Sequence, residues 1–216
     1  MSEPQQIGTI IGENPVMTNQ DEQSEPLQSQ ENTRRALSLW KVSQITDRHR
    51  EFKPEASHSV EWSTQWLKLS SAIGNGVIAV ILGTRGAGKS QMAVCAIRQS
   101  CKNLRPARYS KALNFFLDVR KTYKPNSEKS EDEVIKYYCE PFLLVIDAIE
   151  NRSESAFENL LMNHLIDTRY DQCKDTILIG NYDENQFAAS MGPSIVDRIH
   201  ECGIKIVCNW KSFRRD

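Results

Sequence analysis

Eight consecutive residues, Gly83-Thr84-Arg85-Gly86-Ala87-Gly88-Lys89-Ser90, define the chemistry open to this chain. The spacing G-x-x-x-x-G-K-S is that of a phosphate-cradling loop, which needs a strand before it and a helix after it. Both are present: the apolar run Val77-Ile78-Ala79-Val80-Ile81-Leu82 leads in, and Gln91-Met92-Ala93-Val94-Cys95-Ala96-Ile97 reads as a helix leading out. Glycines let successive backbone N–H groups curl around an anion, and the helix N-terminus adds the positive end of its dipole. Lys89 can reach β- and γ-phosphates, and the Ser90 hydroxyl suits Mg²⁺. A chance glycine turn would leave the register of strand, Lys, Ser and helix unexplained. The expected ligand is a nucleoside triphosphate.

Two further polar residues end apolar runs. Phe142-Leu143-Leu144-Val145-Ile146 stops at Asp147, and Thr176-Ile177-Leu178-Ile179-Gly180 stops at Asn181. Runs of this kind are strands buried on both faces of a parallel sheet, and ligands bind beyond the carboxyl ends of such strands. Asp147 is then placed to hold the Mg²⁺ shell, and Asn181 to orient a water or touch the γ-phosphate. An ordinary strand-ending polar residue is the alternative for each, and it has more force at Asn181.

The elements that must position these groups follow from patterning. Val60 to Ile73 carries Val60, Trp62, Trp66, Leu67, Leu69 and Ile73 at helical spacing and closes on Gly74-Asn75-Gly76. The two tryptophans read as core rather than as adenine stackers. Ala107-Arg108-Tyr109 is a short strand, Lys111–Thr122 and about Ser130–Tyr138 are helices, Ala156–Tyr170 is a long helix, and Ile204–Cys208 is the last strand. Strands alternating with helices give an α/β fold with a parallel sheet flanked by helices on both faces.

Residues 1–33 hold six acids, three prolines and no Lys or Arg. So little apolar surface cannot offset the entropy of ordering, so the segment is expected to be largely disordered, whether a solvated tail or a partner-binding arm. Six basic residues then appear between Arg34 and Lys53, interleaved with Leu37, Leu39, Trp40, Val42 and Ile45. That pattern fits an amphipathic helix docking on another protein or packing on the chain's own core. The chain thus divides into an acidic tail (1–33), a basic docking segment (34–59) and a nucleotide-binding domain (60–216). Net charge is −1, so no global field calls for nucleic acid or membrane. Six scattered cysteines without a C-x-x-C pair read as buried reduced thiols. With neither a membrane-length apolar run nor a signal pattern, a cytoplasmic location is expected.

From about Val77 onward the chain resembles the bacterial replicative-helicase loaders of the DnaC/DnaI type, in the AAA+ superfamily. The resemblance rests on the phosphate loop, Leu143-Leu144-Val145-Ile146-Asp147, Gly180-Asn181, Met191-Gly192-Pro193-Ser194-Ile195-Val196-Asp197-Arg198-Ile199 and the terminal Asn209-Trp210-Lys211-Ser212-Phe213-Arg214. It implies an AAA+ ATPase core binding ATP and Mg²⁺. It also implies self-assembly into an ATP-dependent oligomer that delivers a hexameric replicative DNA helicase onto single-stranded DNA. By position, Arg198 is similar to the arginine finger that reaches a neighbouring subunit's nucleotide, Arg214 to the second sensor and Asn181 to the first. Lys111–Tyr138 falls where these proteins carry a pore-lining helical insertion, so Arg120, Lys121, Tyr123 and Lys124 become candidates for single-stranded DNA. By themselves those four read as a solvated helix end. The docking segment would hold the helicase. An IstB-like transposition helper has a closely similar core and is the rival within the class.

One position departs from the family pattern. The loaders follow the strand-ending Asp with a Glu that polarises water, and here the residue is Ala148. Glu150 lies two residues further on, a step that would carry it past the site in an extended chain. Sequence alone therefore favours slow hydrolysis, a substitution that traps the ATP state, or an ATP-gated binding module with no useful turnover.

Overall fold

The computed structural model describes residues 27–51 and 59–213. Its centre is a five-stranded parallel sheet in the order β2-β3-β4-β1-β5. The strands are β1 (Ile78–Gly83), β2 (Ala107–Lys111), β3 (Leu143–Asp147), β4 (Asp175–Gly180) and β5 (Gly203–Cys208). Every residue of β3 and β4 is buried, as continuous apolar runs require when both faces of a sheet are covered. Alternation divides their side chains. Ile78, Val80, Leu82, Leu144, Ile146 and Leu178 enter one core layer, while Ala79, Ile81, Leu143, Val145, Ile177 and Ile179 enter the other.

Helices cover both layers. On the first lie α5 (Ala112–Thr122), α6 (Glu131–Cys139), α7 (Ala156–Asp171), α8 (Glu184–Met191) and α9 (Pro193–Cys202). On the second lie α3 (Val60–Ala72) and α4 (Lys89–Lys102), together with apolar residues of the N-terminal segment. The parallel α/β fold with helices on both faces is as the sequence implies. Because β4 lies between β1 and β3, Asn181 stands between the phosphate loop and Asp147.

The N-terminal segment differs from expectation in one respect and takes one of the two arrangements its pattern allows. Helix α1 (Leu27–Val42) begins inside the stretch expected to be disordered, and its Gln, Glu, Arg, Ala and Leu content is favourable to helix. Residues 1–26 lie outside the described residues. The basic segment packs on the chain's own core: Trp40 lies under the Arg98 guanidinium at 5.0 Å, Ser43 O accepts from Tyr109 N at 2.8 Å, and Ser43 and Ile45 are buried. The short helix α2 (Asp47–Arg50) follows.

At the amino ends of β3 and β4, Arg169 is fully buried and donates to the carbonyls of Cys139, Pro141, Phe142 and Asp175 and to Thr176 Oγ1. Burial lowers its pKa to about 10, so it stays charged at neutral pH. Its neighbour Asp175 accepts from Gly74 N at 2.7 Å and Val77 N at 2.9 Å, which fixes the turn entering β1.

Candidate functional site

The phosphate loop is held from behind. Gly86 O accepts from Phe213 N at 3.0 Å, Ala87 O from Trp210 Nε1 at 3.0 Å, and Gly88 O from Trp62 Nε1 at 3.2 Å. With three consecutive carbonyls taken up by the protein, amide N–H groups are what the loop can offer a ligand. Gly88, at φ 79°, is also the N-cap of α4 and supplies no side-chain cap, and the N-terminus of α4 points its dipole at this loop. A Cβ at Gly88 would lie 2.8 Å from Trp62 Nε1, and one at Gly83 (φ 130°) 2.2 Å from Cys208 O. Both positions require glycine. Trp62 is core, as expected; its role as a loop clamp, shared with Trp210, was not visible in the sequence.

Lys89 is 6% exposed and donates to Gly83 O and Thr84 O, both at 2.7 Å, and to Asn181 Oδ1 at 2.8 Å. These acceptors occupy the ammonium that a phosphate chain would take. Asn181 continues the chain of contacts, its Nδ2 donating to Glu150 Oε1 and its backbone N to Glu150 Oε2 at 3.2 Å. The amide can sit only this way round, because the ammonium only donates and the carboxylate only accepts. Glu150, set aside on sequence spacing, therefore belongs to the site.

Asp147 gathers three donors. Ser90 Oγ reaches Oδ2 at 2.7 Å, Tyr109 OH reaches the same oxygen, and Ala148 N reaches Oδ1 at 2.7 Å. Burial, then the Asp147 charge, push the Tyr109 phenol far above its ordinary range and keep it a donor. Tyr109 was read only as part of a strand; its place follows from the pairing of β2 with β3, which sets it opposite Val145. No group of three or more His, Cys, Asp or Glu able to hold a metal occurs among the described residues. One carboxylate and one hydroxyl still fit Mg²⁺, which takes the rest of its octahedron from waters and substrate phosphates.

These groups line a cleft of about 810 Å³ at the carboxyl ends of β1, β3 and β4, with Ala148 on its wall. Arg48, His49, Arg85 and Phe213 also line it. Arg48 and His49 were assigned by sequence to the docking segment, and the packing of that segment across the edge of β2 brings them here.

The remaining candidates lie elsewhere. Arg198, on α9, pairs with Asp167 of α7 at 3.1 Å, donates to Ser194 Oγ at 2.5 Å and lies 5.2 Å from the Tyr170 ring centre. It does not line this chain's cleft. Arg214 lies outside the described residues. Arg120 is bound to the buried Glu158 at 2.8 Å, whose second oxygen caps Ser153 N, so its main contact is internal. Lys121 pairs with Asp118 at 2.7 Å, and Tyr123 donates to Glu131 with its ring edge-on to Phe157. Lys124 is exposed. The helices α5 and α6 lie between β2 and β3 in the chain.

No family model matches the chain. It is 23% identical over 142 residues to the replicative helicase loader DnaC of Escherichia coli K12, an alignment covering 65% of this chain and 58% of that one. The corresponding protein of Buchnera aphidicola subsp. Baizongia pistaciae is 22% identical over 137 residues, covering 63% and 56%. The chain thus spans less than two thirds of the length of these relatives. Among solved structures, that of a DnaC helicase loader matches with a TM-score of 0.66 at 18% identity, covering 76% of this chain and all of that one. A DnaI structure matches with a TM-score of 0.57 at 13% identity, covering 82% and 93%. A replication initiator DnaA bound to AMPPCP and single-stranded DNA matches with a TM-score of 0.61 at 18% identity, covering 78% and 52%. The fold is that of the DnaC, DnaI and DnaA structures; the similarity to DnaC helicase loaders stands in both sequence and structure, and that to DnaI in structure.

Proposed function

We propose that the chain is an ATP-dependent loader that assembles on a hexameric replicative DNA helicase and delivers it to single-stranded DNA in the cytoplasm. The observation that carries this reading is the cleft itself. The loop ammonium of Lys89, the Ser90–Asp147 pair and Asn181 converge at one sheet edge, on a fold similar to a helicase loader over 76% of the chain.

In this reading the loop amides and Lys89 bind the phosphates, and Ser90 and Asp147 would hold Mg²⁺, which would supply charge neutralisation to the phosphates. Arg198 leaves Asp167 to serve the nucleotide of a neighbouring copy, while Arg214 contacts nucleotide in its own subunit. Lys121, Tyr123 and Lys124 face single-stranded DNA. Arg120 has the lesser part, being committed to Glu158.

The test is capture of a purified hexameric replicative helicase by the full chain, with and without Mg-ATP. Capture should depend on ATP and be lost in Lys89→Ala, which should also abolish binding of labelled ATP. ATP binding without helicase capture, but with capture of a transposase, would move the chain to the transposition-helper class. Unchanged ATP affinity in Lys89→Ala would remove the reading altogether.

A further inference from the structure

Ala148 stands where the resemblance implies a water-polarising carboxylate, yet the cleft does not lack one. The backbone supplies it by a turn. Ala148 takes φ 57°, and Asn151 N donates back to Ala148 O at 3.0 Å, so the chain reverses over Ile149 and Glu150 instead of running on. Ile149 is fully buried, its N bonded to Ile179 O at 3.1 Å, and it lies across Gly180, where a Cβ would meet Ile149 Cγ1 at 2.9 Å. With Ile149 anchored on β4, Glu150 faces Asn181 and lines the cleft. An extended strand would have put it about 6–7 Å beyond residue 148. Only the Asn181 carboxamide separates the Glu150 carboxylate from the Lys89 ammonium, the group that marks the γ-phosphate end of such a loop.

We propose that Glu150 is the catalytic carboxylate of this ATPase, orienting the attacking water and taking its proton, with Asn181 as its positioning residue. The inference rests on the ATP-binding reading above. In the step, water oxygen forms a bond to the γ-phosphorus and gives one proton to Glu150. The bond from phosphorus to the β–γ bridging oxygen breaks, its electron pair leaving on ADP. Glu150 then returns the proton to solvent. Lys89 holds Asn181, and Asn181 holds Glu150. A γ-phosphate that draws Lys89 away frees the amide and its carboxylate together. The Ala148 and Glu150 pair thus moves the carboxylate two positions along the chain rather than deleting it.

The experiment compares the full-length wild type, Glu150→Gln and the double variant Ala148→Glu/Glu150→Gln, in the presence of single-stranded DNA. Three quantities are read: affinity for a fluorescent ATP analogue, Mg-ATP turnover, and affinity for ADP with aluminium fluoride followed by tryptophan emission. Trp62 and Trp210 clamp the loop and should report its occupancy. Glu150→Gln should lower turnover by about 10²–10⁴-fold, with the affinity for the ATP analogue changed by less than about threefold. Its affinity for the aluminium fluoride complex should fall by more than about tenfold, as expected for an interaction made mainly in the transition state. The double variant should recover to within about tenfold of wild type, because a carboxylate is returned to the same cleft. A purely structural role for Glu150 would leave the double variant as slow as the single one. The proposal is overturned by that result, by turnover unaffected in Glu150→Gln, or by a wild type that binds ATP without hydrolysing it. Failure of the wild type to bind the ATP analogue at all would instead overturn the ATP-binding reading.

Discussion

At position 148 two accounts of the site give opposite expectations for one substitution. Read from sequence, Ala148 is the missing carboxylate, and Ala148→Glu should raise turnover sharply. With Glu150 already in the cleft, Ala148→Glu should change wild-type turnover by less than about tenfold, since one positioned base supplies most of the available effect. Backbone strain does not interfere, because a left-handed φ of 57° costs Glu no more than it costs Ala. Steady-state hydrolysis at saturating ATP separates the accounts, and a rise of a hundredfold or more, on the order of 3 kcal/mol of barrier, would favour the sequence account. The residues that sequence located, Lys89, Asp147 and Asn181, each lie at or next to the end of an element whose apolar pattern is local. Glu150 was set aside because its position depends on a turn, and that turn depends on Ile149 finding β4. Tyr109 escaped notice for a related reason: strand order, which one sequence does not encode locally, decides that β2 lies beside β3.

Among the elements, α9 fixes the surroundings of Arg198, the residue proposed to serve a neighbouring copy. Gly192, at φ 79°, and Pro193 at the first helical position start α9, and Ile195 and Ile199 seat it on the core. That leaves Arg198 on the far flank, paired with Asp167 and lying over Tyr170. Arg198→Ala should therefore leave ATP affinity of the isolated subunit within about threefold and cost about 0–1 kcal/mol of stability, as for other partly exposed pairs. ATP-dependent assembly should weaken, seen as smaller particles in light scattering. Intact assembly with collapsed monomer affinity would make Arg198 a residue of its own subunit's site. The α8–α9 pair was not read as helices, although a local signal is present. Asp183 and Gln186 form a capping box at the start of α8, and Phe187 and Met191 recur four residues apart behind it. The first turns of α1, before Arg34, were missed for the opposite reason. They are polar and none of the helix's residues is buried, so composition outweighed helix propensity.

On the scale of the molecule, the parallel sheet was legible because buried strands announce themselves, whereas the boundary of the folded unit was not. Sequence set it near Val60 and made the first 59 residues an appendage. The structure instead runs Leu39, Trp40, Ser43 and Ile45 across α4 and the edge of β2, with Tyr109 N bonded to Ser43 O. Deleting residues 1–26 spares all of these contacts and should leave the melting temperature and ATP affinity unchanged. Deleting residues 1–59 exposes the site of Ile45 and strips an acceptor from β2. It also removes Arg48 and His49 from the cleft. At about 1.5–3 kcal/mol for each fully buried apolar side chain, plus the part-buried Leu39 and Trp40, the loss should reach about 3 kcal/mol or more, a fall of about 6–12 °C in Tm. Thiol chemistry gives an independent readout. Burial pushes Cys95 and Cys101 up to about 11 and Cys208 to about 12, while Cys173 is exposed. At pH 8 a thiol of pKa 11 is thiolate in only about one molecule in a thousand, so iodoacetamide should modify Cys173 of the native chain and reach the other three only through unfolding. In the 1–59 deletion, labelling of Cys95 and Cys101 on α4, the helix that α1 covers, should accelerate at least tenfold; in the 1–26 deletion it should not. Equal labelling and equal Tm in the two deletions would restore the boundary at Val60 and return the basic segment to the role of a detachable docking arm.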